Sequence, residues 1–324
     1  MLFSLRPKEH LNELFGRENE YEELSRLVAS GLWVAVMGKR MTGKTSLIKT
    51  FANENNGIYV NLLGAKGLGD VVRSLMVESG MKLESVGIDL KFLQVKWSKV
   101  AEDVFAHVKD KVIVFDEVQE VASYHFLKVL KSLWDKYENL KIIFSGSYIG
   151  VLRGLLEPKP TSPLYGRAPV KMILKPFNHE TSKKFLEAGF MEYSQVNFRE
   201  AEIEEAVEKL NGYVGWLTYY GNFRCVRKLS HEEALNETVR EGCKILVDEL
   251  NHFLRGRQKE IYIRVLRLTR NGARWSEIKR ELNVNSKVLS DVLKSLTLAM
   301  IVEEEDGYYW IEDSMMKEAI KRIR

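Results

Sequence analysis

Apolar and polar positions follow two regimes along this chain. Short, largely apolar runs occur at residues 32–37 (Leu32-Trp33-Val34-Ala35-Val36-Met37), 57–63, 111–115, 140–144 and 170–174. Runs of that length are what strands buried on both faces of a parallel sheet present. Between them, apolar residues recur at helical spacing, first at Tyr21, Leu24, Leu27 and Val28, then over 46–52, 69–79 and 97–108. Strand and helix in alternation predict an α/β layer structure. Residues 80–96 are harder to read, and the alternation over 86–92 suits a short strand or hairpin insert. From residue 179 the pattern turns wholly helical, over 181–188, 200–210, 217–228 and 232–254, interrupted at Gly212 and Gly215. Three more helices follow at 259–268, 275–282 and 286–296. A hairpin then joins Met300-Ile301-Val302 to Tyr308-Tyr309-Trp310-Ile311 across a turn at 303–307. Three helices and a β-wing are the winged variant of helix-turn-helix. The expected partition is an α/β core over 1–178, a helical lid over 179–254 and a winged helix over 255–324.

The first apolar run leads into Gly38-Lys39-Arg40-Met41-Thr42-Gly43-Lys44-Thr45, and the helical segment beginning Ser46-Leu47-Ile48 follows. Strand, glycine-framed loop and helix are the context the G-x-x-x-x-G-K-[ST] pattern needs before it counts as a phosphate loop. Gly38 and Gly43 let the backbone curl so that its N–H groups face an anion. The helix N-terminus adds its positive end. Lys44 is expected to reach the β/γ-phosphates and the Thr45 hydroxyl to ligate Mg²⁺. Met41, Thr42 and Ser46 contribute through position and backbone.

Composition narrows the class without choosing the reaction. The 324 residues are 45% hydrophobic and 29% charged, an ordinary globular balance with room for two or three domains. Two cysteines, Cys225 and Cys243, and six scattered histidines give neither a disulfide framework nor a zinc-ligand spacing. This suits a reducing cytoplasm. The N-terminal residues lack the apolar core of a signal peptide, and no run approaches the ~18 apolar residues of a membrane span. Net charge is only +4, so its distribution matters more than its size. Residues 255–294 hold eleven Lys/Arg against four Asp/Glu, a local net of +7 that favours phosphate contacts.

Further candidates stand at strand ends. Asp116 and Glu117 close the run Val112-Ile113-Val114-Phe115, 72 residues after Lys44. A parallel strand delivers such carboxylates to the sheet edge where ligands bind. Asp116 is expected to hold Mg²⁺ through water, and Glu117 to polarise the water that attacks the γ-phosphate. A hydroxyl at the end of the next strand, Ser145 or the slightly preferred Ser147, is placed to sense the γ-phosphate. Gly16 and Arg17 read either as a turn against the adenine or as an ordinary helix start. Arg167 reads as a phosphate-reading arginine or a salt-bridged surface residue.

In order and interval, Phe15-Gly16-Arg17-Glu18, the phosphate loop, Phe115-Asp116-Glu117-Val118-Gln119, Phe144-Ser145-Gly146-Ser147 and Leu164-Tyr165-Gly166-Arg167 resemble the archaeal ATPase family of P-loop proteins. That branch lies close to the STAND and AAA+ ATPases. The resemblance implies an additional-strand parallel sheet, a helical lid, a C-terminal winged helix, ATP or ADP as ligand, and Glu117 as the water-activating base. It also implies a nucleotide contact from the element at Gly16 and Arg17. The lid departs from the family, because Tyr213 and Gly215 stand where a glycine and a nucleotide-facing proline are usual.

The function expected is an Mg²⁺-dependent ATPase coupled to the winged helix. Alternatives are a nucleotide-retaining switch acting through DNA or a protein partner, and a DNA-remodelling homo-oligomer in which Arg167 serves a neighbouring copy. On the presumed recognition helix, Ser286, Lys287, Ser290, Asp291, Lys294 and Ser295 face outward, with no Arg, Asn or Gln for bidentate base reading. The wing tip, Glu303-Glu304-Glu305-Asp306, is acidic. Duplex contact is therefore expected to be nonspecific. No guanine-reading N-K-x-D motif follows the core, which leaves adenine as the expected base.

Overall fold

A computed structural model describes residues 1–81, 97–121, 123–146, 158–193 and 197–323. The chain divides into two compact units, Arg6–Lys175 and a second made of Met1–Leu5 with Pro176–Arg324. The expected insert at 80–96 falls almost wholly outside the described residues.

In Arg6–Lys175, β1 (Val34–Gly38), β2 (Ile58–Asn61), β3 (Val112–Asp116), β4 (Lys141–Ser145) and β5 (Val170–Leu174) form one parallel sheet in the order β2-β3-β4-β1-β5. β4 lies between β1 and β3, as an additional-strand sheet requires. Every residue of β1 and β3 is buried, which explains their unbroken apolar runs. Edge strand β5 alternates instead, with Lys171 and Ile173 exposed. The helices of this unit are α1 (Glu18–Ala29), α2 (Lys44–Glu54), α3 (Leu68–Glu78), α4 (Trp97–Val108) and α5 (Tyr124–Lys136). Leu47, Ile48 and Phe51 of α2 pack with Leu24 and Val28 of α1 and with Val34, Val36, Val114, Ile143 and Met172 of the sheet. Burying each such side chain contributes roughly 1.5–3 kcal/mol. This packing fixes the start of α2 at the end of β1.

The pattern after Glu117 predicts one helix from Val118 to about Leu133. The structure has a 3₁₀ turn at Val118–Glu120 and then a separate α5, whose N-cap Ser123 accepts from the Phe126 N–H at 3.3 Å.

The second unit contains α6 (His179–Met191), α7 (Glu200–Leu210), α8 (Val214–Cys225), α9 (His231–Phe253), α10 (Lys259–Thr269), α11 (Trp275–Leu282), α12 (Ser286–Leu298) and α13 (Ser314–Arg322). A capping box of Ser230 and Glu233 starts α9. β6 (Ala273–Arg274), β7 (Glu303–Glu305) and β8 (Tyr308–Trp310) form an antiparallel sheet in the order β6-β8-β7. The hairpin differs from expectation. Its first strand is the acidic Glu303–Glu305, because the turn is only Asp306-Gly307, both at positive φ, the favoured two-residue hairpin turn. The apolar Met300-Ile301-Val302 precede the strand, with Val302 buried. Strand β6 and helix α13 were not anticipated. Asp313 caps α13 by accepting from the Met315 and Met316 N–H groups at 2.9 and 3.2 Å.

The N-terminal residues carry an anchor that periodicity does not reveal. Phe3 is fully buried, with its ring edge-on to Phe185 and Phe190 at centroid distances of 5.7 and 5.4 Å. A Cβ at Gly189 or Gly221 would come within 2.1 or 2.3 Å of that ring, so both positions need glycine for the close approach. The Leu2 N–H donates to Glu192 Oε2 at 2.7 Å, and Asn222 Nδ2 donates to the Phe3 carbonyl at 3.0 Å.

Candidate functional site

Two strand ends and one helix start build the site in Arg6–Lys175. At the end of β1 the loop turns on Gly38, where a Cβ would meet the Leu174 carbonyl oxygen at 2.6 Å and Thr42 Oγ1 at 3.0 Å. Gly43 caps α2 in the left-handed region at φ 93°. Met41 also lies there, at φ 65°. That is uncommon for a side-chain-bearing residue and typical of functional turns. Thr42 is buried and its Oγ1 donates to the Lys39 carbonyl at 2.8 Å, bracing the loop from inside. Gly43 has no capping side chain and the first turn of α2 has no acidic residue. The start of α2 therefore carries no negative side chain of its own where the helix dipole favours an anion. Lys44 Nζ donates to the carbonyls of Gly38 at 2.7 Å and Lys39 at 2.9 Å, which keeps the ammonium over the loop. Ser46 is turned elsewhere, its Oγ accepting from the Lys8 N–H at 3.1 Å.

The strand-end carboxylates meet this loop. Asp116, buried at the end of β3, accepts from Thr45 Oγ1 at 3.0 Å on Oδ2 and from the Glu117 N–H at 3.0 Å on Oδ1. Tyr59 of β2 donates its hydroxyl to the same Oδ2 at 2.9 Å. Burial, and next the facing Asp116 charge, push the Tyr59 phenol well above its ordinary pKa and keep it a donor. Glu117 has φ 56° and ψ 39°, a left-handed backbone that redirects it at the strand end. Its Oε2 accepts from the Gln119 side-chain amide.

Arg17 is buried at the start of α1. Its guanidinium donates to the Thr42 carbonyl at 2.8 Å, to the Lys175 carbonyl at 2.7 Å and to Glu20 at 2.5 Å. It therefore ties the phosphate loop to the end of β5. Burial lowers its pKa from the usual arginine value, and the Glu20 carboxylate opposes that shift. Gly16 takes φ 66° and its N–H donates to Glu18 Oε1 at 3.1 Å, closing the turn ahead of α1.

The structure thus brings Lys44, Thr45, Asp116 and Glu117 to one edge of the sheet. Arg167 pairs with Asp135 of α5 at 3.2 Å. Ser145 is fully buried, and its Oγ has no hydrogen-bond partner among the described residues. Ser147 lies outside them. In the second unit Tyr213 is buried, and the Phe177 N–H donates to the Gly212 carbonyl at 2.8 Å. Among the described residues no cluster of three or more His, Cys, Asp or Glu could hold a metal by itself. Sequence reasoning missed Tyr59, Gln119 and the bracing contacts of Arg17. A tyrosine in a buried strand needs a hydroxyl partner, and that was the available signal for Tyr59.

Residues 14–219 match the model of a family described as an ATPase domain predominantly from Archaea. The Walker-type ATPase of Pyrococcus abyssi is 29% identical, superposes with a TM-score of 0.85, and matches over 99% of this chain and all of that one. Cdc6p from Pyrobaculum aerophilum superposes at 0.56 with 13% identity, over 99% of this chain and 97% of that one. The Orc1 protein of Aeropyrum pernix, solved in complex with DNA, superposes at 0.50 with 15% identity, over 95% and 93% of the two chains. These two share the fold. A search of curated proteins finds no match. With a glycine-framed loop at the head of α2, two carboxylates at the end of β3 and a family match spanning most of the chain, the protein belongs to the archaeal family of P-loop ATPases and is an ATPase.

Proposed function

We propose that this ATPase requires Mg²⁺ and passes its nucleotide state to a C-terminal winged helix. The observation that carries the catalytic half is the 3.0 Å hydrogen bond from the hydroxyl of Thr45, one residue beyond Lys44, to the Asp116 carboxylate. A hydroxyl and a carboxylate are an all-oxygen pair suited to a hard cation whose other ligands are phosphate oxygens and water. Bound there, Mg²⁺ would neutralise charge on the transferred phosphoryl group. The tight loop at Gly38 and the uncapped first turn of α2 fit a phosphate chain. Gly38, Met41, Thr42, Gly43 and Ser46 shape that cradle. Lys44 exchanges its two loop carbonyls for phosphate oxygens. Glu117 orients and polarises the attacking water, and a serine at the end of β4 reads the γ-phosphate. Arg17 serves the nucleotide through the shape of the loop, with the Gly16 turn beside it.

Helices α10, α11 and α12 with the β6-β8-β7 sheet support a winged helix over 255–324. On α12, Leu289, Val292, Leu293 and Leu296 are buried, while Ser286, Lys287, Ser290, Asp291 and Lys294 are exposed. That face and the net +7 of residues 255–294 favour weak, sequence-independent contact with duplex phosphates. The fold likeness to an Orc1 protein solved in complex with DNA supports testing duplex DNA first. Both cysteines are free and buried, which supports a reducing, cytoplasmic setting. Among the described residues no helix is long and apolar enough to cross a membrane.

One observation favours a second reading. Gln119 holds the Glu117 carboxylate, so turnover would be slow unless that bond opens, and the protein would act as a nucleotide-retaining switch toward DNA or a protein partner. Steady-state ATP hydrolysis with and without duplex DNA separates the two. Turnover accelerated by DNA supports the coupled ATPase. Negligible turnover with nucleotide co-purifying supports the switch.

A further inference from the structure

We propose that Tyr59 is a positioning residue for the divalent cation, setting the orientation of the Asp116 carboxylate from the neighbouring strand. The inference rests on the Mg²⁺–nucleotide reading of this site and extends it to a residue outside the motifs.

The geometry follows from register. β2 and β3 are parallel, with Asn61 opposite Asp116 and Tyr59 opposite Val114. Tyr59 therefore sits two residues upstream of Asp116 on the adjoining strand, about 6.6 Å along the sheet. That distance is spanned by a phenol ring ending in a hydroxyl, and no shorter hydroxyl side chain reaches it. The ring is held in place, packed against the core cluster that carries α2, with the Lys49 ammonium 5.7 Å from its centroid. Its hydroxyl donates to Asp116 Oδ2 at 2.9 Å.

Asp116 Oδ2 has two hydroxyl donors of different kinds. Thr45 belongs to the phosphate loop, and its hydroxyl is expected to turn to the cation when nucleotide binds. Tyr59 belongs to the sheet and is independent of the loop. The carboxylate plane is thus fixed by Tyr59 on Oδ2 and by the Glu117 N–H on Oδ1, so Asp116 is oriented before nucleotide arrives. A group already held in its working orientation loses less freedom on binding. Tyr59→Phe removes the hydroxyl and keeps the ring, leaving the apolar packing intact.

The test uses the full-length protein, a fluorescent ADP analogue, and Mg²⁺ titrated against an EDTA baseline. Wild type is compared with Tyr59→Phe, Asp116→Asn and the double variant. The expected result is an ADP-analogue affinity in EDTA unchanged within about twofold. The Mg²⁺ concentration that half-tightens binding rises about tenfold in Tyr59→Phe, equivalent to about 1.4 kcal/mol. Tyr59→Phe adds nothing further once Asp116 is Asn, because the tyrosine acts through that carboxylate. An unchanged Mg²⁺ requirement overturns the proposal. So does an equal loss of affinity with and without Mg²⁺, which marks a structural role, or an additive double variant. If wild-type binding ignores Mg²⁺, the parent reading of the site falls as well.

Discussion

Replacing Arg17 with alanine tests whether the residue braces the phosphate loop or touches the nucleotide. The side chain is 5% exposed and its guanidinium donates to two backbone carbonyls, Thr42 and Lys175, and to Glu20. Hydrogen bonds to charged groups contribute about 1.5–3 kcal/mol each. Truncation also leaves a partly buried Glu20 without this partner, and breaking buried pairs costs about 3–5 kcal/mol. The two figures overlap, and Glu20 keeps 27% of its side chain in water. The expected loss is therefore about 3–4 kcal/mol for the unit Arg6–Lys175. Arg17→Lys keeps a cation for Glu20, but one ammonium cannot span both carbonyls, and about 2 kcal/mol is lost. The assay is urea unfolding of the full chain without nucleotide or Mg²⁺, followed by tryptophan fluorescence. If nucleotide-free stability changes by less than about 0.5 kcal/mol while nucleotide affinity falls tenfold or more, Arg17 is a nucleotide contact and the brace is refuted.

Other outcomes follow from the same geometry. Phe3→Ala empties a socket lined by Phe185, Phe190, Gly189 and Gly221 and is expected to cost the second unit about 3–5 kcal/mol, read as a lower thermal midpoint. Unchanged melting would mean that the N-terminal anchor contributes nothing. Reversing Lys287 and Lys294 to Glu on the exposed face of α12 should weaken duplex binding severalfold and flatten its salt dependence, with ATP affinity unchanged. Equal DNA affinity in the double variant would remove that face from the interface.

Local chemistry made much of the site readable. Gly38, Gly43, Lys44 and Thr45 are fixed by a turn that only certain residues can make, and Asp116 and Glu117 end a run whose burial is written in its composition. Sheet order could be expected through the family resemblance, but strand register could not. Tyr59 reads as one more apolar residue of β2 until pairing with β3 brings its hydroxyl to Asp116. Arg17 reads as a helix start because its second carbonyl, at Lys175, is 158 residues away. Phe3 escaped for the same reason, since its socket is built from α6 and α8. Hydrophobicity points to Met300-Ile301-Val302 as the first strand of the hairpin, whereas the Asp306-Gly307 turn, which lies within the expected 303–307, sets that strand at Glu303–Glu305.

Mg²⁺-dependent ATP turnover by wild type beside Glu117→Gln and Lys44→Ala, with nucleotide affinity measured in parallel, tests the roles of these residues most directly. Wild type is expected to turn over, Glu117→Gln to bind ATP with undiminished affinity and lose turnover by at least about a hundredfold, and Lys44→Ala to lose binding itself. Wild-type turnover rates in Glu117→Gln, or tight nucleotide binding by Lys44→Ala, would contradict those roles.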